Sequence, residues 1–140
     1  MIAATAAHCE AIAAIHRTCF GTESWSAASI AALFENPFVF GYVTAQGGAV
    51  IACAVADEAE ILTIAVAPEA RRQGIARTLL ALVIDEATRR GARSLFLEVA
   101  QTNQAALGLY RSAMFSNTGI RRDYYAPGQH ALLLRRRLFE

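Results

Sequence analysis

Residues 64–80 read IAVAPEARRQGIARTLL, and they join an apolar strand to a helix through a short basic loop. Upstream, Glu60–Val66 is a nearly continuous apolar run, which predicts a strand buried on both faces. Downstream, residues 75–90 place their large apolar side chains on one stripe, which predicts an amphipathic helix that stops at Gly91. The unit predicts a sheet with a helix packed against it.

The basic loop has the features of a phosphate-binding site. The first turn of a helix leaves backbone N–H groups unpaired, and they carry partial positive charge that suits a pyrophosphate. Gly74 lets a ligand approach the backbone, while Arg71, Arg72 and Arg77 add positive charge. A glycine before a helix is equally compatible with an ordinary strand-to-helix turn. The pattern differs from a P-loop and from a dinucleotide-binding G-x-G-x-x-G.

The rest of the chain alternates helices and strands in a mixed order. We expect one domain over residues 1–140, of the α/β (α+β) class, with helices on both faces of one central sheet. The other predicted helices are 3–18, 27–34 and 104–111, and the other predicted strands are 38–45, 49–56, 94–99, 115–123 and 130–138.

Composition favours a cytoplasmic protein. The 140 residues are 55% hydrophobic with a formal net charge of +1, which gives no general attraction to nucleic acid. Cys9, Cys19 and Cys53 are scattered, which argues for reduced thiols and against a zinc site, so we expect no metal. No apolar run is long enough to predict a membrane span. The Ala-rich start lacks a basic leader and contains Glu10, so we interpret it as part of the first helix rather than a signal peptide.

Several motifs together carry a specific family resemblance. Arg71-x-x-Gly74-x-Ala76 matches the Gln/Arg-x-x-Gly-x-Gly/Ala signature of the GCN-five-related N-acetyltransferase (GNAT) family. Residues 97–99 (LEV), Asn103 and residues 109–110 (LY) resemble that family's second half. Residues 121–125 (RRDYY) and 25–26 (WS) resemble its RimI-like subgroup, the ribosomal-protein alanine N-acetyltransferases. Met114-Phe115 stands where many members have Gly-Phe. The resemblance is close over residues 58–138 and looser before them.

The resemblance implies a fold and a cofactor. The fold is a mixed, mostly antiparallel sheet of about six strands, in which two parallel strands splay apart and hold acetyl-CoA. The family's first strand would be missing or reduced to a few residues near Met1. Asn103 would contact the cofactor's arm, cap a helix, or do both. The backbone that would hold the pantetheine is Ile64, Ala65 and Val66, and the loop that would hold the pyrophosphate is Arg71, Arg72, Gln73, Gly74, Ile75, Ala76 and Arg77.

Two side chains are the expected catalysts. Glu98 is the one charged residue in the run SLFLEV, and the resemblance places the general base there. The resemblance also implies that Tyr110 protonates the leaving sulfur, and a phenol suits this role because it keeps its proton at neutral pH. Glu60 is the reserve base and a candidate substrate contact. The alternatives are a solvent-facing strand residue for Glu98, packing onto the sheet for Tyr110, and a surface turn for Glu60.

The expected acceptor is a primary amine, most simply a protein N-terminus. At pH 7, deprotonating an α-amine costs about 1.1 kcal/mol, whereas a lysine costs about 4.6 kcal/mol. The RimI-like resemblance implies the N-terminal alanine of a ribosomal protein, with Tyr124 and Tyr125 forming the peptide slot or simply packing at a sheet end. The alternatives are a lysine or small-molecule amine, or a non-catalytic acyl-CoA-binding module. We expect a monomer or a weak homodimer.

Overall fold

A computed structural model describes residues 1–138, and all its strands lie in one seven-stranded sheet. The strand order is β1-β2-β3-β4-β5-β7-β6, and among the described residues only the β4–β5 pair is parallel. The elements in chain order are β1 (Ile2–Ala3), α1 (Cys9–Phe20), α2 (Ala27–Leu33), β2 (Val39–Thr44), β3 (Gly48–Val55), β4 (Glu58–Val66), α3 (Ile75–Arg89), β5 (Ser94–Ala100), α4 (Gln104–Ser112), β6 (Ser116–Ala126) and β7 (Gln129–Arg137). The expected mixed sheet is confirmed, with seven strands instead of about six.

The beginning of the chain differs from the prediction. The helix predicted from residue 3 begins at Cys9, because Ile2 and Ala3 pair with Val43 and Tyr42 of β2. Thr5 then accepts a hydrogen bond from the Ala7 N–H and starts a short 3₁₀ turn. A first strand of two residues is therefore present, and it accounts for the additional strand.

Helices cover both faces of the sheet, as expected. On one face, α3 and α4 pack against β3, β4, β5 and β7 and form the larger core. Five residues of the α3 stripe are fully or nearly fully buried: Ile75, Leu79, Leu80, Val83 and Ala87. On the other face, α1 and α2 pack against β2, β3 and β4 and form a smaller core that includes Ile12, Ile30 and Ile51.

Gly48 fixes the position of the α3 N-terminus over the sheet. A Cβ atom at Gly48 would lie 2.5 Å from Ile75 Cγ2 and 2.9 Å from Thr44 Cγ2. Only a glycine at the start of β3 therefore allows the first turn of α3 to approach so closely.

A β-bulge separates the two parallel strands. In the β3–β4 pairing, Ile51 lies opposite Thr63 but Ala52 lies opposite Ile61, so Leu62 is an extra residue in β4. A bulge bends its strand and increases the local twist. Accordingly, β4 pairs with β5 only from Glu58 to Glu60 within the described residues, and the strands diverge toward their carboxyl ends.

The divergence corrects one expectation from the sequence. Strand Glu60–Val66 was predicted to be buried on both faces, but Leu62, Thr63 and Ile64 are only partly buried. In β5, buried residues alternate with half-buried ones such as Phe96 and Glu98. The apolar side chains of these strands therefore line open cavities as well as filling a core.

Within residues 1–138, no helix combines the length and apolar character that crossing a membrane requires.

Candidate functional site

The loop before α3 presents unpaired backbone donors. Arg72 and Gly74 both have left-handed backbone conformations, with φ of 65° and 76°. Successive turns of this kind create a concave arrangement of N–H groups that suits anions. Across the described residues, the N–H groups from Arg72 to Arg77 donate no hydrogen bond, and the first helical bond is Thr78 N–H to the Gly74 carbonyl. The loop thus fits a pyrophosphate.

A cavity of about 180 Å³, here called the loop cavity, lies at this site. It is lined by Val66, Ala70, Arg71, Arg72, Gly74, Ile75, Ala76, Arg77 and Leu109. Gln73 lies outside this lining and is exposed. Most residues predicted to hold the pyrophosphate thus meet at one cavity, and their role stays a prediction.

Two of the loop arginines also contact other parts of the chain. Arg71 donates from Nε to the Val66 carbonyl at 3.0 Å, and its Nη2 lies 3.9 Å from Cys19 Sγ. Arg77 donates to Ser112 Oγ at 3.3 Å, which links α3 to the end of α4. The first arginine of the signature therefore fixes the loop to the end of β4, in addition to any contact with a ligand.

A larger cavity of about 430 Å³, here called the inner cavity, opens where β4 and β5 diverge. It brings together residues from α1, β4, β5, α4, β6 and the segments that follow α1 and β5: His16, Phe20, Glu23, Trp25, Ile61, Leu62, Thr63, Ile64, Leu97, Glu98, Val99, Ala100, Asn103, Ala106, Tyr110 and Tyr125. The predicted base Glu98 and the predicted acid Tyr110 are both part of this lining. Ala65, by contrast, is buried and lines neither cavity.

Tyr110 is held by the C-terminal cap of α4. The Phe115 N–H donates to the Tyr110 carbonyl and the Met114 N–H to the Arg111 carbonyl, both at 3.0 Å, which is the Schellman pattern. The Tyr110 and Phe115 rings pack edge to face with centroids 5.8 Å apart. Tyr110 is only 6% exposed, and burial raises the pKa of its phenol to about 12. Tyr110 therefore packs against the core and also lines the inner cavity.

Glu98 is paired with a cation from β6. Its Oε1 accepts a hydrogen bond from Arg121 Nη1 at 2.7 Å, and the Glu98 side chain is 25% exposed. The Arg121 guanidinium also lies over the Tyr124 ring, 4.6 Å from its centroid. This contact connects Tyr124 to the inner cavity, although Tyr124 does not line it. Tyr125 does line it, and burial followed by the negative charge of Glu98 raises the pKa of Tyr125.

Glu60 belongs to a separate outer cavity of about 590 Å³. The outer cavity is lined by Cys53, Val55, Glu58, Ala59, Glu60, Phe96, Leu97, Glu98, Thr118 and Leu133. The two cavities adjoin, since Leu97 and Glu98 line both. Glu60 is exposed at the rim, where desolvation and then the charge of Glu98 raise its pKa, and Arg121 opposes the rise.

Asn103 caps α4. Its Oδ1 accepts a hydrogen bond from the Ala106 N–H at 3.1 Å, and the side chain also lines the inner cavity. The cap is confirmed, and the contact with the cofactor stays a prediction. Within residues 1–138, no group of three or more His, Cys, Asp or Glu side chains is arranged to hold a metal ion.

Comparison with known proteins identifies the family. Residues 9–114 match the model of the Acetyltransferase (GNAT) family. The chain belongs to the GNAT family. A Bacillus subtilis protein is 36% identical over 107 residues, which cover 73% of this GNAT chain and 71% of the relative.

Other relatives are more similar over a shorter stretch. The [ribosomal protein bS18]-alanine N-acetyltransferase of Escherichia coli K12 is 49% identical over 71 residues, 51% of this chain. The corresponding Salmonella typhimurium enzyme is 47% identical over 75 residues. The chain matches only about half the length of these curated relatives, 48% and 51% respectively.

Solved GNAT structures extend the comparison to the whole chain. The crystal structure of the E. coli ribosomal-protein-S18-alanine N-acetyltransferase superposes with a TM-score of 0.86 at 29% identity, covering 99% of this chain and 94% of that one. An aminoglycoside 6′-N-acetyltransferase complexed with coenzyme A superposes with a TM-score of 0.84, covering 100% of this chain and 98% of that one. At 14% identity, the second similarity shows the fold alone.

Sequence reasoning missed two residues of this GNAT site, His16 and Thr63. No motif in the sequence marks His16, and Thr63 lies within the nearly continuous apolar run Glu60–Val66. A signal was available, because His16 follows Ile12 by four residues and so falls on the buried stripe of α1. A polar residue on such a stripe needs a hydrogen-bonding partner.

Proposed function

We propose that this protein is an acetyl-CoA-dependent N-acetyltransferase that acts on the α-amine of a protein N-terminus. The observation that carries the proposal is the inner cavity, where Glu98 and Tyr110 line one space beside the divergent strands. A carboxylate that accepts a proton and a phenol that donates one are the two groups that amide formation from a thioester requires.

The cofactor fits the residues present. The free N–H groups from Arg72 to Arg77 would hold the pyrophosphate, and the divergent edge of β4 at Ile64–Val66 would pair with the pantetheine amides as an added strand would. Asn103 lies beside that path in the inner cavity. When bound, acetyl-CoA supplies an activated acetyl group as a thioester.

Glu98 and Tyr110 would then carry out the proton transfers of the reaction. Glu98 accepts the proton of the acceptor ammonium, directly or through a water, so that the amine attacks the thioester carbon. Arg121 holds the Glu98 carboxylate in place through its 2.7 Å hydrogen bond to Oε1. Tyr110 keeps its proton at neutral pH because burial raises its pKa to about 12, and it would deliver that proton to the departing sulfur. The second proton that the nitrogen loses as the amide forms would return to the phenolate. The amine attacks directly, with no acetylated enzyme.

The relatives suggest the acceptor. Their names specify the alanine of ribosomal protein bS18, and we propose an N-terminal alanine of a ribosomal protein for this chain as well. An α-amine also needs much less help than a lysine to lose its proton. Glu60, Tyr124 and Tyr125 lie around the two adjoining cavities and would contact the first residues of the peptide.

Two measurements on the purified protein test the proposal. Calorimetry should detect binding of coenzyme A and acetyl-CoA. A turnover assay should then compare peptides with free N-terminal Ala, Ser or Met against N-blocked peptides that carry lysine. We expect the free N-terminal alanine peptide to be preferred. Preference for the blocked lysine peptides would overturn the acceptor, binding without turnover of any amine would favour a non-catalytic module, and no binding would overturn the proposal entirely.

A further inference from the structure

His16 is a buried polar residue with two specific hydrogen bonds. Only 3% of it is exposed, and its ring stacks on Trp25 with centroids 4.8 Å apart. The Trp25 backbone N–H donates to Nδ1 at 3.0 Å, and Nε2 lies 3.1 Å from Thr63 Oγ1. The imidazole thus connects the start of the α2 segment to β4 at the wall of the inner cavity.

These contacts fix the direction of the second hydrogen bond. Since Nδ1 accepts the Trp25 N–H, it carries no proton, and the ring is neutral with its hydrogen on Nε2. Burial also lowers the pKa of His16, which favours the same neutral form. Nε2–H must therefore donate to Thr63 Oγ1, so the hydroxyl hydrogen of Thr63 is not used in this bond.

Thr63 lies at the wall of the inner cavity, where its hydroxyl hydrogen can meet a bound ligand. It follows the bulge residue Leu62, lies opposite Ile51 on the α1 side of the sheet, and lines the inner cavity together with Glu98. Within residues 1–138, the Thr63 hydroxyl has no other hydrogen-bond partner. The hydroxyl hydrogen of Thr63 is therefore available to donate to an acceptor atom of a ligand.

We propose that the Thr63 hydroxyl donates a hydrogen bond to the first carbonyl oxygen of a bound peptide acceptor, and that His16 is the positioning residue that holds this hydroxyl and leaves its hydrogen available. The inference rests on the proposed N-acetyltransferase function. An ammonium has no lone pair to accept such a bond, and the lone pair of a free amine is needed for attack. The first carbonyl of a peptide is only two carbons from the amine, so it suits a donor in the cavity that holds the base.

The assignment makes Thr63 a determinant of acceptor class. Peptide N-termini carry a carbonyl at this position, whereas simple alkylamines and polyamines do not. Thr63 therefore contributes to the rate with peptides and nothing to the rate with amines that lack the carbonyl.

A double-mutant cycle between enzyme and substrate tests the contact. The enzyme arms are wild type and Thr63→Val, which removes the hydroxyl at nearly constant volume. The substrate arms are an N-terminal alanine peptide and the same peptide with its first amide replaced by a neutral E-alkene, which removes the carbonyl. For the normal peptide we expect Thr63→Val to lower kcat/KM about 2- to 12-fold, the range for one neutral hydrogen bond. For the alkene peptide we expect no loss, and Thr63→Ser should restore the normal rate.

Matched variants separate this role from a structural one. Thr88→Val makes the same change on the exposed side of α3, where Thr88 bonds to the Ile84 carbonyl, and it should change neither substrate's rate. His16→Phe keeps an aromatic ring but removes both nitrogens, and it should selectively reduce the rate with the carbonyl-bearing peptide. Long-range proton–nitrogen NMR of labelled histidine should show His16 protonated at Nε2 and unprotonated at Nδ1.

The outcomes distinguish failure of this inference from failure of the proposed N-acetyltransferase function on which it rests. Equal losses for both peptides in Thr63→Val or His16→Phe, with normal melting temperatures, would overturn the contact and leave the acetyltransferase intact. An Nδ1-protonated His16 would overturn the assigned polarity. Failure of the wild-type protein to acetylate any peptide would overturn both proposals. If Thr63→Val does not fold, Thr63→Ala in the same cycle gives the same decision.

Discussion

The loop cavity and the inner cavity are built by opposite means. The loop cavity is formed mostly by one continuous segment, residues 70–77, and its donors are backbone N–H groups whose placement depends on two left-handed residues. The inner cavity is formed by side chains from five secondary-structure elements, and its key groups are held by contacts such as Glu98–Arg121 and His16–Thr63. The first is suited to an invariant anionic ligand, and the second to chemistry and to choice of acceptor.

The difference predicts how substitutions in each region behave. Changes in the loop should weaken cofactor binding and leave the proton transfers intact. Changes to Glu98, Tyr110 or Thr63 in the inner cavity should alter turnover or acceptor choice and leave cofactor binding intact. The four predictions below test this division, beginning with the largest expected effect.

Tyr110→Phe should reduce kcat about 10²- to 10⁴-fold, because the leaving sulfur loses its proton donor. Calorimetry should show unchanged binding of coenzyme A. Since burial raises the pKa of Tyr110 to about 12, the wild-type enzyme should not lose this donor between pH 7 and pH 10, and kcat should not fall there. Tyr42→Phe is the control, because Tyr42 lies on β2 outside both cavities. An unchanged kcat in Tyr110→Phe would remove the residue from the chemistry.

The same contrast explains what the sequence could predict. The loop was identified from residues 64–80 alone, because its strand, glycine and helix start are contiguous and each follows from local backbone rules. The role of Tyr110 followed only from the family resemblance, whereas Glu98 was also marked as the one charged residue in the run SLFLEV. The ion pair between Glu98 and Arg121 was not predicted, because it depends on the register of β5, β7 and β6 across 23 residues of sequence separation.

Two other features of the cavity were also beyond local reasoning. The bulge at Leu62, which separates β4 from β5, has no marker such as glycine or proline in the run EILTIAV. The bond from His16 to Thr63 joins residues 47 apart, and only the packing of α1 on β4 brings them together. Tertiary packing, and not composition, determines such contacts.

Glu98→Gln should reduce kcat about 10²-fold, whereas Glu60→Gln should cost less than about 10-fold, if Glu98 is the base at the junction of the cavities. The pH dependence of kcat/KM discriminates the two. A base must be deprotonated to act, so its activity declines as the pH falls through its pKa. The fall in kcat/KM at acidic pH, which reflects protonation of the base, should disappear in Glu98→Gln and persist in Glu60→Gln.

The reverse result would exchange the two roles. Glu60 has a raised pKa, so as the base it would lose activity at a higher pH on acidification than an ordinary carboxyl group. A limb that disappears in Glu60→Gln and persists in Glu98→Gln would assign the proton transfer to the outer cavity.

Gly74→Ala should weaken coenzyme A binding about 10-fold, since a left-handed alanine costs about 1–2 kcal/mol and the loop would relax away from its N–H arrangement. Gly91→Ala is the matched control. Gly91 also has a positive φ, 94°, with open space around its Cβ direction, and it lies at the far end of α3. Both variants should melt at a lower temperature, but only Gly74→Ala should change the dissociation constant. Equal binding by the two variants would mean that the loop conformation does not control the cofactor.

Met114→Gly should stabilise the protein without changing its activity. Met114 has φ of 72° in the Schellman cap of α4, and its side chain is 75% exposed, so a glycine relieves left-handed strain while losing little packing. The relief of about 1–2 kcal/mol is offset by about 0.5–1 kcal/mol of additional chain entropy in the unfolded state, leaving a gain of about 0.8 kcal/mol at the middle of these ranges. Thermal unfolding should shift upward by about 2–5 °C. Because the cap bonds to the Tyr110 and Arg111 carbonyls are backbone bonds that glycine retains, kcat should be unchanged. A fall in kcat together with higher stability would mean that the strained cap, and not only the packing against Phe115, sets the position of the Tyr110 hydroxyl.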